Sequence, residues 1–289
     1  MTTTPDAPTL TPPPTPAGAG PAMIPPSGRR PSSRVVAVIA ICAGAVLIAG
    51  TVFTGILGAV RTTAVHTDTL TASAAGLTAF DVEVSAAEVT VTYDTVTEAT
   101  LTVTGGSGAD SWRLERNGDR LIVAADRDWW SRWGWLRGPD TVELVLPVAA
   151  RGADADVDVD SGSFTARGDF GVLDLSMNAG SLRIDGTAQS LMTDVNAGSA
   201  RVDLDGVTEA SLTVNAGSFD GTLSGTAPSD IAIDVSAGRI DLTVPDTTYA
   251  LTSEVSAGRF SHELATDPGA RNRIDVQVSA GAVILTPGR

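Results

Sequence analysis

Four of the five tryptophans stand within seven consecutive residues, and arginines are interleaved with them. Exposed aromatic side chains mark contact surfaces, because indole rings stack on flat ligands and also lie at membrane interfaces. Three interpretations are open: contact with a glycan or peptide, contact with a membrane or a second copy of the chain, or a cap over one end of the fold. The candidate binding residues are Trp129, Trp130, Arg132, Trp133, Trp135 and Arg137.

Residues that catalyse reactions or bind metals are scarce in this chain. It contains one cysteine, Cys42, and two histidines, His66 and His262, which excludes a histidine-rich metal site. No G-x-S-x-G nucleophile motif is present. We therefore predict a protein that is not an enzyme and that has no cofactor and no metal site. A glycan-active enzyme that uses the acidic residues is the weaker alternative.

Acidic residues outnumber basic ones by 34 to 19, which gives a net charge of −15, and every basic residue is arginine. We expect no nucleic-acid partner, because phosphate binding needs a basic face. Several aspartates lie in the repetitive part of the chain, but none has the glycine-rich nine-residue spacing of calcium-binding repeats. We expect them on a solvated outer face of a sheet. They are Asp156, Asp158, Asp160, Asp185, Asp203 and Asp205.

The first 60 residues predict a tail and a membrane span. Residues 1–34 hold ten of the 16 prolines, which predicts a disordered tail that serves as a spacer or as a proline-motif ligand. Residues 35–60 are uncharged and would span about 39 Å as a helix, enough to cross a bilayer. A cleaved signal peptide is the rival interpretation, but its apolar core is usually shorter and closer to the N-terminus.

Arginines flanking residues 35–60 predict the orientation of this single-pass protein. Arg29, Arg30 and Arg34 precede the span, whereas only Arg61 follows it closely. Positive charge favours the cytoplasmic side, so we place the N-terminus in the cytoplasm and the C-terminal part outside the cell membrane. Residues 61–74 are interpreted as a linker and residues 75–289 as an extracytoplasmic β-strand-repeat domain.

A tripeptide of small and polar residues ending in glycine recurs along the second half of the chain. The interval between successive glycines is 18 to 23 residues, which is typical of solenoids and related stacked-strand arrays. Residues 82–91 fit the same template as a degenerate first copy, with Ala87 in place of glycine. The repeated glycines are Gly162, Gly180, Gly198, Gly217, Gly238, Gly258 and Gly281.

Apolar residues alternate on both sides of each glycine, but the alternation shifts by one residue at the glycine. Val159 lies three residues before Gly162, for example, and Phe164 lies two after it. A bend at the glycine keeps both strands facing one core, so each repeat is predicted to be a strand, a glycine corner and a second strand. We expect the small residue before each glycine to point inward, and His262 to occupy an inward slot as a core or edge histidine.

The residue two before each glycine is polar, and in register these residues would stack into a hydrogen-bonded ladder. Conventional strands precede the repeats, including a hairpin that turns at Asn117-Gly118. The fold class predicted is therefore all-β: a β-solenoid-like stack of short strands with glycine corners, preceded by one transmembrane α-helix and a disordered proline-rich tail. The ladder residues are Asp160, Asn178, Asn196, Asn215, Ser236, Ser256 and Ser279.

Residues 75–287 resemble the DUF4097 family of bacterial β-strand-repeat proteins, whose members are often described as candidate adhesins. The resemblance rests on the strand at 142–147, on the segment VDVDSGS at 157–163 and on the Ala-Gly repeats that follow. It implies a membrane-anchored or exported stack of strands, and it carries no catalytic residues. Most copies here lack the acidic residue that commonly follows the glycine in that family.

Together these features predict a membrane-anchored, non-enzymatic module at the cell envelope, with a role in adhesion, scaffolding or binding. The partners expected are the membrane and a cell-wall glycan or an envelope protein. A sensor of envelope stress that signals through the cytoplasmic tail is the alternative function.

The predicted orientation can be tested with a protease added outside intact cells from which the wall has been stripped. We expect the protease to digest the C-terminal region and to spare the tail, because only the former lies outside the membrane. Digestion of the tail with protection of the C-terminal region would reverse the orientation.

Overall fold

A computed structural model describes residues 66–105, 108–125 and 139–288. These residues are nearly all β, with two short 3-10 turns and no α-helix among them, so no helix within these ranges has the length and hydrophobicity needed to cross a bilayer. The predicted tail at 1–34 and the predicted span at 35–60 lie outside the described residues. The strands are β1 (His66–Ser73), β2 (Ala79–Asp94), β3 (Glu98–Gly105), β4 (Trp112–Asn117), β5 (Arg120–Ala125), β6 (Asp140–Pro147), β7 (Asp154–Asp169), β8 (Val172–Met177), β9 (Ser181–Thr187), β10 (Ser190–Val195), β11 (Ser199–Asp205), β12 (Glu209–Val214), β13 (Ser218–Ser224), β14 (Asp230–Val235), β15 (Arg239–Val244), β16 (Thr248–Val255), β17 (Arg259–His262), β18 (Ala265–Thr266), β19 (Asn272–Val278) and β20 (Ala282–Pro287).

The strands of the repeats pair in parallel, in two rows that meet at the corners. Strands before a corner form the first row, in the order β5, the first half of β2, the first half of β7, β8, β10, β12, β14, β19 and β16. Strands after a corner form the second row, in the order β6, the second half of β2, the second half of β7, β9, β11, β13, β15, β20 and β17. This parallel pairing is consistent with the predicted solenoid-like stack.

Antiparallel strands complete the N-terminal end of the array. β3 pairs with β6, and β1 pairs with β3. β1 falls within residues 61–74, the segment interpreted from the sequence as a linker. β4 and β5 form the predicted hairpin, with Gly118 in a left-handed conformation (φ +67°) at its turn. Ala87 pairs with Gly162, as expected for a degenerate first copy, and the strand is irregular between residues 84 and 87.

Alternate residues of both rows are buried in one apolar core. At the first repeat, Val159 before the corner and Phe164 after it are both buried, which confirms the shift in alternation at the glycine. The predicted inward orientation of the small residue between them is wrong. Ala179, Ala197 and Ala216 are exposed at the corners, because the bend that keeps both strands inward turns the corner residues towards solvent.

Successive corner glycines lie directly against one another. A Cβ atom on Gly180 would lie 2.1 Å from the carbonyl oxygen of Gly162, and one on Gly281 would lie 2.3 Å from that of Gly238. Three corner glycines, at positions 162, 180 and 198, also have a positive φ, whereas the later ones do not. Close approach of the backbones is therefore the requirement common to all seven corners, and the dihedral angle is an added requirement at three of them.

The order of the last two coils in space is the reverse of their order in the sequence. β19 and β20 pair with β14 and β15 on one side and with β16 and β17 on the other. The coil around Gly258 is therefore at the end of the array, with β18 pairing to only the first two residues of β16. This position explains why Val255, placed in an inward slot from the sequence, is 40% exposed.

His262 is also exposed, so the inward position expected for it is wrong. It belongs to the terminal coil, where no further coil covers the slot, and its ring stacks on that of Phe260 at a centroid distance of 5.5 Å. Of the two positions proposed for this histidine, the edge position is the one observed.

Alanine substitutions can separate the two requirements at the glycines. Gly206→Ala should cost about 1 kcal/mol of stability, because this residue has φ +78° but no other atom lies within 4 Å of the position its Cβ atom would take. Gly180→Ala should cost about 3 kcal/mol or more, because a clash with the carbonyl oxygen of Gly162 adds to the dihedral strain. Urea denaturation monitored by circular dichroism measures both values. Equal costs would show that stacking distance does not limit the corners.

Candidate functional site

Asparagine side chains form a hydrogen-bonded ladder along the outside of the corners. Asn178 Nδ2 donates to Asp160 Oδ1 at 3.0 Å, Asn196 Nδ2 to Asn178 Oδ1 at 3.1 Å, and Asn215 Nδ2 to Asn196 Oδ1 at 2.9 Å. The predicted ladder is thus confirmed over these four residues. All three bonds point the same way, and a carboxylate accepts at the end of the series, where each polarised amide strengthens the next bond.

Asp160 also connects the ladder to the degenerate first copy. Its Oδ2 accepts a hydrogen bond from Ser85 Oγ at 3.3 Å. Because the amide groups are engaged with one another, the ladder stabilises the alignment of the coils and leaves few groups for a ligand.

The described surface next to the ladder is a shallow groove on the outer face of the second row. Its volume is about 330 Å³. We call it the serine groove, because the residues after Gly180, Gly198 and Gly217 each contribute a serine to it. Its lining residues are Phe164, Thr165, Ser181, Leu182, Arg183, Ser199, Ala200, Arg201, Ser218 and Asp220.

Parallel pairing in register places the serines of the groove in a column. Ser199 pairs with Ser181 on one side and with Ser218 on the other. Neighbouring strands lie about 4.8 Å apart, so the hydroxyl groups repeat at that interval across the strands. The groove therefore presents a periodic series of groups that both donate and accept hydrogen bonds.

Two arginines lie side by side in the serine groove, and aspartates hold them in place. Arg183 contacts Asp185 through Nε at 3.2 Å and through Nη2 at 3.3 Å. Arg201 Nε contacts Asp203 Oδ2 at 3.4 Å, and its Nη1 lies 3.8 Å from Asp220 Oδ1. Residues i and i+2 of a strand point to the same face, which explains the Arg-x-Asp spacing.

These ion pairs contribute little stability, because the guanidinium groups are about half exposed. Their effect is orientation, since each guanidinium keeps N–H groups that its aspartate does not use. Hydroxyls and guanidinium groups that repeat from coil to coil suit an extended ligand rich in oxygen acceptors. No histidine or cysteine is among the residues that line the groove.

Sequence reasoning assigned Asp185 and Asp203 to a solvated face and missed the arginines paired with them. The Arg-x-Asp spacing at 183–185, 201–203 and 239–241 was the available signal. In the structure both aspartates are half-buried rather than fully solvated.

The tryptophan-rich stretch at 129–137 lies outside the described residues. Its flanking strands are described: β5 belongs to the first row and β6 to the second, and both pair with β2. The stretch therefore connects two strands of one coil, at the position in the chain where later coils have a glycine corner.

Carboxylates are stacked on the outer face of the first row. Asp156 pairs with Asp81 on one neighbouring strand and with Asp174 on the other. Lost hydration raises the pKa of the Asp156 carboxyl group, and the negative charges of Asp174 and Asp81 raise it further. Asp156 and Asp158 are exposed, as predicted for a solvated face. Among the described residues, no group of three or more candidate ligands is arranged to hold a metal ion.

Comparisons with known proteins give structural similarity at low sequence identity. No protein-family model matches the chain, and no curated protein matches it. A candidate adhesin from Bacteroides fragilis matches with a TM-score of 0.43 at 12% identity, covering 76% of this chain and 97% of that one. A candidate cell-adhesion protein from Clostridium sporogenes matches with a TM-score of 0.33 at 8% identity, covering 78% and 100%. A candidate lipid-binding protein from Parabacteroides distasonis matches with a TM-score of 0.36 at 13% identity, covering 76% and 96%.

Replacing Asp156 with asparagine should stabilise the protein at neutral pH. A raised pKa means that the folded state binds the proton more tightly than the unfolded state, so the ionised carboxylate lowers stability at neutral pH. This loss is recovered as the pH falls through the folded-state pKa towards the ordinary value of 3.8. Urea denaturation should therefore show a higher midpoint for Asp156→Asn at neutral pH and a smaller difference from the wild type in acid.

Asp194→Asn is the matched control for this prediction. Asp194 lies in the same row, but its neighbours on the adjacent strands are Thr213 and Ser176 instead of carboxylates. A gain in stability at neutral pH from Asp194→Asn as large as that from Asp156→Asn would contradict repulsion between stacked carboxylates.

Proposed function

We propose that this chain is a membrane-anchored, non-enzymatic binding module of the bacterial cell envelope, with a role in adhesion or scaffolding. The observation that supports the proposal is the serine groove, whose hydroxyl and guanidinium groups recur in register from one coil to the next. In the proposed arrangement residues 35–60 span the membrane, the N-terminal tail is cytoplasmic, and the β-strand repeats lie outside.

The proposed ligand of the serine groove is a cell-wall glycan. A polymer with a repeating unit can make the same contacts at each coil, so modest contacts add up along the groove. Glycan hydroxyl and carbonyl oxygens accept hydrogen bonds from the serine and arginine donors. The overall negative charge of the chain favours a ligand of low charge, because a polyanion would be repelled by the aspartates around the groove.

The tryptophan-rich stretch is proposed as a second contact with the same ligand. It joins β5 to β6 within the coil that pairs with one side of β2, while the serine groove begins on β7, which pairs with the other side of β2. Indole rings stack on flat apolar surfaces and so complement the polar contacts of the groove. We also propose that the chain has the fold of the DUF4097 family, with β6 as the strand that precedes the repeats.

The binding proposal is tested by retention of the full chain on purified cell-wall glycan. R183A/R201A should lower the affinity at least tenfold, because each charged hydrogen bond that is lost contributes about 1.5–3 kcal/mol. R239A/R273A is the control: it removes the same charge from two other ion pairs, Arg239 with Asp241 and Arg273 with Asp230, outside the groove lining.

Replacing the four tryptophans at 129, 130, 133 and 135 with alanine should weaken retention without unfolding.

Two results would contradict the proposed function. Equal loss of retention in both arginine double variants would assign the effect to net charge. The serine groove would then not be the glycan-binding site. Release of reducing ends or unsaturated products from a glycan panel by the wild-type chain would make the protein an enzyme.

A further inference from the structure

A pocket opens at the C-terminal ends of β2, β7 and β9, where glycines stand at positions that later coils fill with large core residues. The sixth residue after a corner glycine faces the core, and in later coils Leu204, Leu223 and Val244 fill this position. In the first two repeats the same position is Gly168 and Gly186, which pair with each other. Neither coil therefore has a side chain at this position, and a Cβ atom on Gly186 would clash with the carbonyl oxygen of Gly168.

Tyr93 from the preceding coil fills part of this space. A Cβ atom on Gly168 would lie 2.3 Å from Tyr93 Cε2, so the glycine is needed for the ring to fit. The ring also contacts Phe170 edge-on, at a centroid distance of 6.5 Å. An open depression of about 380 Å³ remains at the surface, lined by Thr92, Tyr93, Arg151, Arg167, Asp169 and the two glycines. We call it the tyrosine pocket.

The Tyr93 hydroxyl is buried and has no hydrogen-bond partner among the described residues. Burial raises the pKa of this phenol, and the charge of Asp169 adds to the effect although Arg151 opposes it. The hydroxyl is therefore protonated at neutral pH and is a donor without an acceptor. A buried polar group in this condition is uncommon in native proteins, because its lost hydration is not compensated.

Two further donors surround the pocket. Arg151 lies over the Tyr93 ring at 5.8 Å and contacts Asp169 through Nη1 at 3.3 Å. Arg167 contacts Asp185 through Nη2 at 3.6 Å and is 79% exposed. Each guanidinium has five N–H groups, whereas Asp169 also accepts a hydrogen bond from Thr187. Donors thus outnumber acceptors in the pocket.

We propose that the tyrosine pocket binds the carboxylate group of a small ligand, such as an acidic sugar or the end of a peptide. A planar carboxylate accepts two parallel hydrogen bonds from one guanidinium and a third from the phenol. In the proposed complex the ligand displaces Arg151, which lies over the Tyr93 ring and is held there by a half-exposed ion pair that costs little to break.

The charge of the pocket selects a monoanion. The lining holds two arginines and one aspartate, and Asp185 beside it is shared between Arg167 and Arg183, so one negative charge completes the balance and a second would meet the Asp169 and Asp185 carboxylates. The tyrosine pocket shares no lining residue with the serine groove, and the two are linked only through Asp185, which contacts both Arg167 and Arg183.

Tyrosine-selective labelling provides a direct measurement on the full chain. The chain contains only two tyrosines, and the second, Tyr249, donates its hydroxyl to the Pro245 carbonyl at 2.9 Å. With 13C at the tyrosine Cζ atoms, NMR should show two signals, and the signal absent from Tyr93→Phe belongs to Tyr93. Glucuronate and N-acetyl-D-alanyl-D-alanine are the two carboxylate probes, and the methyl ester of each is the neutral control.

We expect a saturable shift of the Tyr93 signal with at least one carboxylate, no shift with its ester and an unchanged Tyr249 signal. A response to glucuronate alone assigns the pocket to acidic sugars, and a response to the dipeptide alone assigns it to peptide ends. No shift of the Tyr93 signal with either carboxylate, or a larger shift with inorganic phosphate, would overturn the proposal.

Variants separate ligand binding from a role in folding. Tyr93→Phe removes only the unpartnered hydroxyl, so the affinity for the carboxylate should fall at least tenfold while Tm is unchanged or higher. Because this variant lacks the Tyr93 signal, the NMR signals of the Arg151 or Arg167 side chains report binding in it. Arg167→Ala should also weaken binding, whereas Arg273→Ala, which removes a similar 3.6 Å contact to Asp230, should not. A lower Tm with unchanged affinity in Tyr93→Phe would make the hydroxyl structural and refute the pocket.

Discussion

Contact between the corner backbones is the constraint on which the array depends. A Cβ atom on Gly180 or Gly198 would lie within 2.4 Å of the carbonyl oxygen of the preceding corner glycine, so each corner fits the next only without a side chain. This contact holds neighbouring coils in one register, and the register places inward residues on inward residues throughout both rows. The core, the ladder and the surface columns all depend on that alignment.

The same alignment has opposite effects on different side chains. Stacked asparagines donate to one another, as Asn196 does to Asn178 at 3.1 Å. Stacked carboxylates repel: burial raises the pKa of Asp156, and the charges of Asp174 and Asp81 on the neighbouring strands raise it further. On the second row, Arg183 and Arg201 avoid repulsion by pairing with aspartates two residues along their own strands. Repetition therefore gives this surface its periodic donors and also its local electrostatic cost.

Local pattern was sufficient to predict the strands, the corners and the asparagine ladder, because each depends on residues within one period. It was insufficient for the orientation of the corner alanines, which depends on the direction of the bend. The order of the last coils was also inaccessible, since Val235, Val255 and Val278 carry the same signal and do not specify which coils are neighbours. The tyrosine pocket did have a signal, because Gly168 and Gly186 replace apolar residues in an inward slot, but its meaning required Tyr93 from another coil.

The insertion of β19 and β20 between β15 and the terminal coil bears on how the protein is made. Residues 248–262 leave the ribosome before residues 272–287, yet the latter form the rung on which the former dock. The last third of the array therefore cannot complete its strand pairing until residues 272–287 have been synthesised. A chain that stops before residue 272 loses an interior rung instead of an end, so β16 and β17 lose the strands that connect them to β14 and β15.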